Sequence, residues 1–236
     1  MLVYINSGYN FGWITMKKLL LLLLFLTVPQ VYSQSAEDEL VNPKELIHDI
    51  VIDLRYSTAA HKFLNLPNGD IALPKFYTAN ECLLLKKAVD LLKIAQDTLR
   101  KITFHDGVSY SQGIGIKIWD GYRPRAVQYL LFAVFPNPVY VADPASGSKH
   151  NRGGAIDLTL IDLATGNELE MPTLFDDFSD RAAHSYTNLP ANVLANRALL
   201  KNIMSQVAGF SIYDAEWWHY EVPGASSYPL LDFQMK

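Results

Sequence analysis

Three short polar clusters interrupt otherwise apolar stretches of this sequence, and each contains residue types that can do chemistry. Residues 148–157 read Ser-Lys-His-Asn-Arg-Gly-Gly-Ala-Ile-Asp, residues 216–219 read Glu-Trp-Trp-His, and residues 120–124 read Asp-Gly-Tyr-Arg-Pro. Imidazole and carboxylate groups are both good zinc ligands. The first two clusters together are therefore a candidate metal site.

His150 and Asp157 form the first candidate pair of ligands. His150 lies in a polar loop flanked by glycine, and Asp157 stands within an apolar stretch that predicts a strand. Because an ionised carboxylate is costly to bury unless it is paired or binds a metal, Asp157 needs a partner. An ion pair with Arg152, with His150 at the surface, is the alternative to a metal, and the spacing alone leaves both interpretations open.

His219 lies among aromatic residues of a predicted strand, and Glu216 precedes it by three positions. Residues i and i+3 of a regular strand point to opposite faces, so the two can share a site only if the chain bends near Glu216. Asp214 and Ala215 make such a bend reasonable. Two histidines and one aspartate would leave a fourth zinc position open for water, with Glu216 as the base beside that water.

Arg123 is a further candidate, because it stands directly before Pro124 at a predicted strand-to-helix junction. A guanidinium there can bind a developing oxyanion or a substrate carboxylate. A surface arginine that caps the helix is the alternative. The sequence contains no His-Glu-x-x-His segment, which excludes the common metalloprotease helix motif.

The order of these motifs resembles the zinc D-alanyl-D-alanine dipeptidases of the vancomycin-resistance type, which belong to the wider group of zinc D,D-peptidases related to the Hedgehog signalling domain. The resemblance runs from about residue 53 to residue 221. It implies one zinc ion per chain and hydrolysis of a small dipeptide, with the substrate ammonium bound by an aspartate. The implied site residues are the zinc ligands His150, Asp157 and His219, the base Glu216, the transition-state stabiliser Arg123, and the substrate-binding residues Asp176, Ser148 and Tyr56.

Two other functions stay open beside the dipeptidase. A zinc D,D- or L,D-carboxypeptidase acting on peptidoglycan stem peptides would share the zinc site and differ in having an open groove. A catalytically inactive zinc-binding module would not need Glu216 and Arg123. A nucleic-acid partner is disfavoured, because the net charge is −4 and no basic run stands out.

Hydrophobic spacing predicts the elements that must position these residues. Apolar residues at helical spacing predict a helix from a capping box at Thr78 and Glu81 to about residue 101, with Cys82 in its first turn. Pro124 and Pro190 would open two further helices, to about residues 135 and 207. Strands are predicted at 51–54, 114–118 (half-buried, with alternating isoleucines), 155–161, 210–213 and 217–222.

The predicted fold class is α+β, a single domain with a mainly antiparallel central sheet flanked by helices, because the strands are not regularly separated by crossover helices. The resemblance implies a fold of the Hedgehog and D,D-peptidase kind. Of the 236 residues, 50% are hydrophobic, which suffices for a sizeable core. The single cysteine excludes an internal disulfide.

The N-terminal residues predict export. Lys17 and Lys18 precede the apolar residues 19–28, and the small residue Ser33 follows at a plausible cleavage point. The apolar stretch is too short to span a bilayer, which takes about 20 residues. We therefore predict a signal peptide over 1–33, with 1–15 as a misassigned upstream start before Met16. Residues 34–236 would be the catalytic domain, periplasmic or extracellular in a bacterium and not inserted in a membrane after cleavage.

Overall fold

The structure is a computed structural model that describes residues 39–59, 61–62, 75–79 and 81–235. The predicted signal peptide lies outside these residues and stays a prediction. Within the described ranges, no helix is both long enough and apolar enough to cross a membrane.

Nine strands and three α-helices make up the regular structure of the described residues. In chain order they are β1 (Leu40–Val41), β2 (Val51–Ile52), β3 (Leu84–Leu85), α1 (Lys86–Leu99), β4 (Phe104–His105), β5 (Val108–Ser109), β6 (Ile114–Asp120), α2 (Arg125–Val134), β7 (Ala155–Asp162), α3 (Ala191–Asn202), β8 (Ser211–Ile212) and β9 (His219–Glu221). A π-helical turn, Ile203–Val207, continues α3.

The central sheet has five strands in the order β2-β6-β7-β9-β8. The β2–β6 pair is parallel, and the other three pairs are antiparallel. The predicted α+β class with a mainly antiparallel sheet is confirmed. The register places Asp120 opposite Asp157 and Asp157 opposite His219, so three polar residues of three adjacent strands lie side by side.

Strand β6 is buried on both faces, so the prediction of a half-buried strand is wrong. Ile114, Ile116 and Ile118 are buried as the alternation predicts, but Trp119 on the other face is also only 3% exposed. The Trp119 ring packs edge-on against Trp217, with ring centroids 5.6 Å apart. The aromatic residues that cover this second face come from distant parts of the chain, and local alternation does not reveal them.

Helix α1 begins later than its capping box predicts. Its N-cap is Leu85, which makes no side-chain capping bond. Leu84 and Leu85 form β3 against β1, and the Leu85 N–H also donates to the Gly153 carbonyl at 2.9 Å. Strand pairing with a distant segment therefore takes precedence over helix propensity, and Cys82 lies before the helix instead of in its first turn. Helices α2 and α3 begin directly after Pro124 and Pro190, as predicted.

Candidate metal centre and active site

Two histidines and an aspartate from separate parts of the chain meet beside the central sheet. His150, Asp157 and His219 each offer one ligand atom, and these atoms lie within 4.8 Å of one another. His219 Nδ1 is 2.9 Å from Asp157 Oδ1 and 3.3 Å from His150 Nε2. All three residues are buried, and burying this set of donors is costly unless they are paired or bind a cation.

The second ring nitrogen of each histidine also has a partner. His150 Nδ1 lies 2.8 Å from the Gly121 carbonyl, and His219 Nε2 lies 3.1 Å from Glu221 Oε1. Histidines that bind a metal usually donate their other N–H to a carbonyl or a carboxylate, which fixes the tautomer. His150 Nε2 and His219 Nδ1 then face Asp157 as acceptors, so the donor set fits zinc.

Local backbone geometry brings His150 and Asp157 together. His150 opens a 3-10 turn, His150–Arg152, which ends at Gly153 in the left-handed region with φ 66°. A Cβ atom on Gly153 would lie 2.3 Å from Leu40 Cδ2, so both its conformation and its surroundings require glycine. The turn leads directly into β7, and Asp157 is the third residue of that strand.

Glu216 reaches the same site because the chain turns before β9. The His219 N–H donates to the Glu216 carbonyl at 3.3 Å, and the Glu216 N–H donates to the Tyr213 carbonyl at 3.2 Å. The bend that the sequence required near Glu216 is therefore present, and Glu216 Oε2 lies 3.8 Å from His219 Nδ1. Burial raises the pKa of Glu216 well above its usual range, although the adjacent His219 opposes the shift.

Arg123 is buried beside the cluster rather than at the surface. Its guanidinium lies 5.4 Å from the centre of the Tyr56 ring, and its Nη1 lies 3.5 Å from Asp120 Oδ2. Its backbone N–H donates to the His150 carbonyl at 3.1 Å. The prediction that Arg123 lies close to the site therefore agrees with the geometry, and the alternative of a surface cap does not.

Asp120 is a buried residue of the site that the sequence analysis missed. It is fully buried, accepts a 2.7 Å hydrogen bond from the Tyr77 hydroxyl, and lies 3.5 Å from both Arg123 and His150. The available signal was a carboxylate at the end of the apolar strand β6, the same signal that identified Asp157. Because Gly121 follows it, Asp120 also fits the first position of a turn pair, which obscures its place in the site.

Asp176 and Tyr56 form another wall of the site. Asp176 is buried and has φ 58°, a left-handed conformation that is uncommon for a residue other than glycine and costs energy. The Tyr56 hydroxyl donates to Asp176 Oδ2 at 2.9 Å. Burial raises the pKa of Asp176 to about 8.

All eight predicted site residues line a single pocket of about 130 Å³. Ser148 is buried, and its hydroxyl oxygen accepts a 3.2 Å hydrogen bond from the His150 N–H. Trp217 and Trp218 are both buried in the core, and of the two only Trp218 also lines the pocket. The pocket residues that the sequence analysis did not predict are Pro138, Val139, Tyr140, Ala142, Lys149, Tyr213 and Glu221.

Comparisons with known proteins identify the family of this chain. A family model described as D-ala-D-ala dipeptidase, of peptidase family M15, matches residues 36–235. A D-alanyl-D-alanine dipeptidase of Escherichia coli is 36% identical over 193 residues, which cover 82% of this chain and 89% of that protein. An Enterococcus faecium protein of the same name is 37% identical over 147 residues, 53% of this chain and 71% of that protein. The resemblance inferred from the motifs is thereby confirmed: the chain belongs to the D-Ala-D-Ala dipeptidase family of metallopeptidases.

Proposed function

We propose that this chain hydrolyses the dipeptide D-alanyl-D-alanine at a site for one zinc ion. The observation that carries the proposal is the convergence of all eight predicted residues on one small pocket. The similar proteins of Escherichia coli and Enterococcus faecium carry the name of this activity. His150, Asp157 and His219 would hold the zinc ion. When bound, zinc polarises a carbonyl oxygen and lowers the pKa of water at its open position.

Glu216 acts as the general base. It is not needed as a ligand, because the histidines and the aspartate already supply three donors, the usual number for a catalytic zinc site. Its carboxylate lies 3.8 Å from a ring nitrogen of His219, which is close enough to meet a water molecule beside the cluster. It accepts a proton from the attacking water and passes it to the leaving amine.

Arg123 stabilises the negative charge that develops on the scissile carbonyl oxygen. Its guanidinium contacts both Asp120 and the Tyr56 ring, so its orientation is restricted before substrate arrives. A preorganised donor in a water-poor site contributes far more than the same group in water. The charge of Arg123 persists at every working pH because guanidinium groups do not titrate in this range.

Asp176 binds the ammonium group of the dipeptide. It is the carboxylate of the pocket wall that lies beside Tyr56, and its buried carboxyl has a raised pKa. A cation placed beside this carboxyl favours the ionised form, so the ammonium group and the carboxylate would form a charge-assisted hydrogen bond. Tyr56 holds Oδ2, which leaves Oδ1 for the ligand.

The pocket rim favours a dipeptide over a longer peptide. We call residues 135–142 the rim segment, since Pro138, Val139 and Tyr140 line the pocket. The Tyr213 hydroxyl donates to the Val139 carbonyl at 2.6 Å, and the Tyr140 ring stacks on Phe178 with centroids 4.8 Å apart. The rim segment is thus attached on both the Glu216 side and the Asp176 side. A pocket of about 130 Å³ below such a rim is far smaller than the roughly 300–1,000 Å³ of drug-sized ligand sites.

The decisive experiment is an activity assay of the zinc-loaded protein on D-Ala-D-Ala and on a stem pentapeptide that ends in D-Ala-D-Ala. We expect hydrolysis of the dipeptide and little or no release of D-alanine from the pentapeptide. Faster cleavage of the pentapeptide would instead identify a carboxypeptidase. If neither substrate is hydrolysed in the presence of stoichiometric zinc, the chain is an inactive zinc-binding module.

We also propose that the enzyme works outside the cytoplasm of a bacterium. The support is the sequence pattern of Lys17 and Lys18 before a short apolar stretch, residues 19–28. N-terminal sequencing of the protein from its host should find a chain that begins at or near Gln34. A soluble cytoplasmic chain that still begins at Met16 would contradict export.

A further inference from the structure

The proposed substrate carries two charges, and the proposed function accounts for only one of them. D-Ala-D-Ala has an ammonium group at one end, a carboxylate at the other, and the scissile bond between them. Asp176 is assigned to the ammonium group. A buried or half-buried carboxylate likewise needs a cationic partner, or its desolvation would oppose binding.

Only Arg123 and Lys149 carry a permanent positive charge among the described residues that line the pocket. Arg123 is only 7% exposed, and the proposed mechanism already assigns its guanidinium to the scissile carbonyl oxygen. Lys149 also lines the pocket but differs, since 40% of its side chain is exposed. Lys149 is therefore the cation that an entering ligand meets.

One series of contacts connects the metal cluster with the ammonium site. It leaves the cluster at His150, whose Nδ1 lies 3.5 Å from Asp120, and Asp120 holds Arg123. The Arg123 guanidinium lies over Tyr56, and Tyr56 binds Asp176. Asp176, the acid assigned to the substrate ammonium group, is thus connected to the cluster through His150.

A second series of contacts leaves the cluster at the other histidine. His219 Nε2 lies 3.1 Å from Glu221 Oε1, and Lys149 Nζ lies 3.4 Å from the same oxygen. The ligand cluster is therefore connected to an acid through His150 and to a cation through His219. A dipeptide whose central carbonyl lies at the cluster carries opposite charges that these two groups can bind.

Lys149 is also built to hold a second anion. Its ammonium group has three donors, so it can bind Glu221 and a further carboxylate together. Its main chain is fixed, since the Lys149 carbonyl accepts hydrogen bonds of 3.0 Å from the N–H groups of Arg152 and Gly154. The flexible part of Lys149 is thus its side chain, which extends from a fixed main chain.

We infer that Lys149 binds the C-terminal carboxylate of the dipeptide and so selects substrates with a free carboxyl group. This inference rests on the proposed function. It assigns Lys149 to substrate recognition and leaves proton transfer to Glu216. Arginine at this position should also bind the substrate carboxylate, because guanidinium and ammonium groups both form charge-assisted hydrogen bonds with carboxylates.

The test compares D-Ala-D-Ala with its C-terminal amide on the zinc-loaded wild type and on Lys149→Met. The wild type should prefer the free acid in kcat/KM by at least about tenfold, the loss expected for one hydrogen bond to a charged group. Lys149→Met should bring that ratio close to one, mainly by slowing hydrolysis of the free acid. Lys149→Arg should restore most of the preference.

Lys93→Met is the matched control, because Lys93 is also half-exposed and paired with an acid but lies on α1 away from the pocket. It should keep the wild-type ratio. Zinc content is measured in every variant, since Lys149 adjoins His150. A metallated Lys149→Met protein that still prefers the free acid by the wild-type factor would overturn the inference and transfer the role to Arg123. A wild type that hydrolyses neither compound would instead overturn the proposed function.

Discussion

The hydroxyl group of Tyr56 donates a 2.9 Å hydrogen bond to Oδ2 of Asp176, which lies 120 positions further along the chain. The bond fixes one carboxylate oxygen of Asp176, and both residues line the pocket. Asp176 is held there in a left-handed conformation with φ 58°. Such strain persists only where the surrounding structure imposes it, and it is common at functional sites.

Asp176→Asn should weaken recognition of the free dipeptide. The amide keeps the size of the side chain and the hydrogen bond from Tyr56 but has no charge for an ammonium group. We expect kcat/KM for D-Ala-D-Ala to fall by at least about tenfold, whereas an N-acetylated analogue should be little affected. Steady-state kinetics on both compounds measures the difference. An equal loss on both would assign Asp176 to the structure of the site instead of to the ammonium group.

The same substitution should stabilise the metal-free protein at neutral and alkaline pH. Burial raises the pKa of Asp176 from its ordinary value of 3.8 to about 8, so the native state binds a proton that the unfolded state releases in this range. The contribution of Asp176 to stability is full below about pH 4 and decreases as the pH rises toward about 8. Urea unfolding at pH 8 should show Asp176→Asn more stable than wild type by at least about 1 kcal/mol. At pH 4 the gap should vanish, and a constant gap would contradict the argument.

Glu216→Gln should lower the hydrolytic activity without lowering the zinc content. The amide is nearly isosteric and Glu216 is not assigned as a ligand, so the fold and the zinc content should be retained. Activity on D-Ala-D-Ala should fall by at least about 100-fold, the lower range for the loss of a general base. Kinetics and metal analysis of the same preparation measure both effects. If Glu216 were a fourth ligand, the zinc content would fall, and the fraction still metallated would keep its rate.

Removal of zinc should abolish activity and lower the thermal stability. Because the metal would bind only the native arrangement of His150, Asp157 and His219, its loss removes binding free energy from the folded state. We expect the melting temperature to fall by several degrees after dialysis against a chelator and to recover when zinc is added. His219→Ala should show the low melting temperature with or without zinc. A wild-type protein with the same melting temperature in both states would exclude a tightly bound metal at this site.

The three residues proposed as zinc ligands could be selected from the sequence because each is a polar residue in an apolar or glycine-flanked stretch. Asp157 is the clearest case, since a carboxylate inside a buried strand needs a partner. Asp120 gave the same signal at the end of β6, but an Asp-Gly pair is also typical of a turn, which obscures that signal. Lys149 and Tyr213 gave no signal, because a single lysine or tyrosine near the surface has no pattern that distinguishes it. The late start of α1 likewise depends on pairing between β1 and β3, which local propensity does not encode.

The rim segment, residues 135–142, should open more readily when its hydrogen bond with Tyr213 is lost. Tyr213→Phe removes the hydroxyl group that binds the Val139 carbonyl at 2.6 Å and keeps the ring that lines the pocket. The rim segment would then stay attached through the stacking of Tyr140 on Phe178 but lose its hold beside Glu216. We expect the ratio of kcat/KM for the tripeptide D-Ala-D-Ala-D-Ala to that for D-Ala-D-Ala to rise several-fold.

Tyr129→Phe is the control for this experiment, because Tyr129 lies exposed on α2 and does not line the pocket. It should leave the tripeptide-to-dipeptide ratio unchanged. A neutral hydrogen bond contributes about 1 kcal/mol, so its loss can change the population of an opened rim by roughly fivefold. An opened rim admits the longer substrate, whereas a uniformly destabilised site would slow both substrates equally. An unchanged ratio in Tyr213→Phe would therefore show that the walls below the rim, and not the rim segment, limit the length of the peptide.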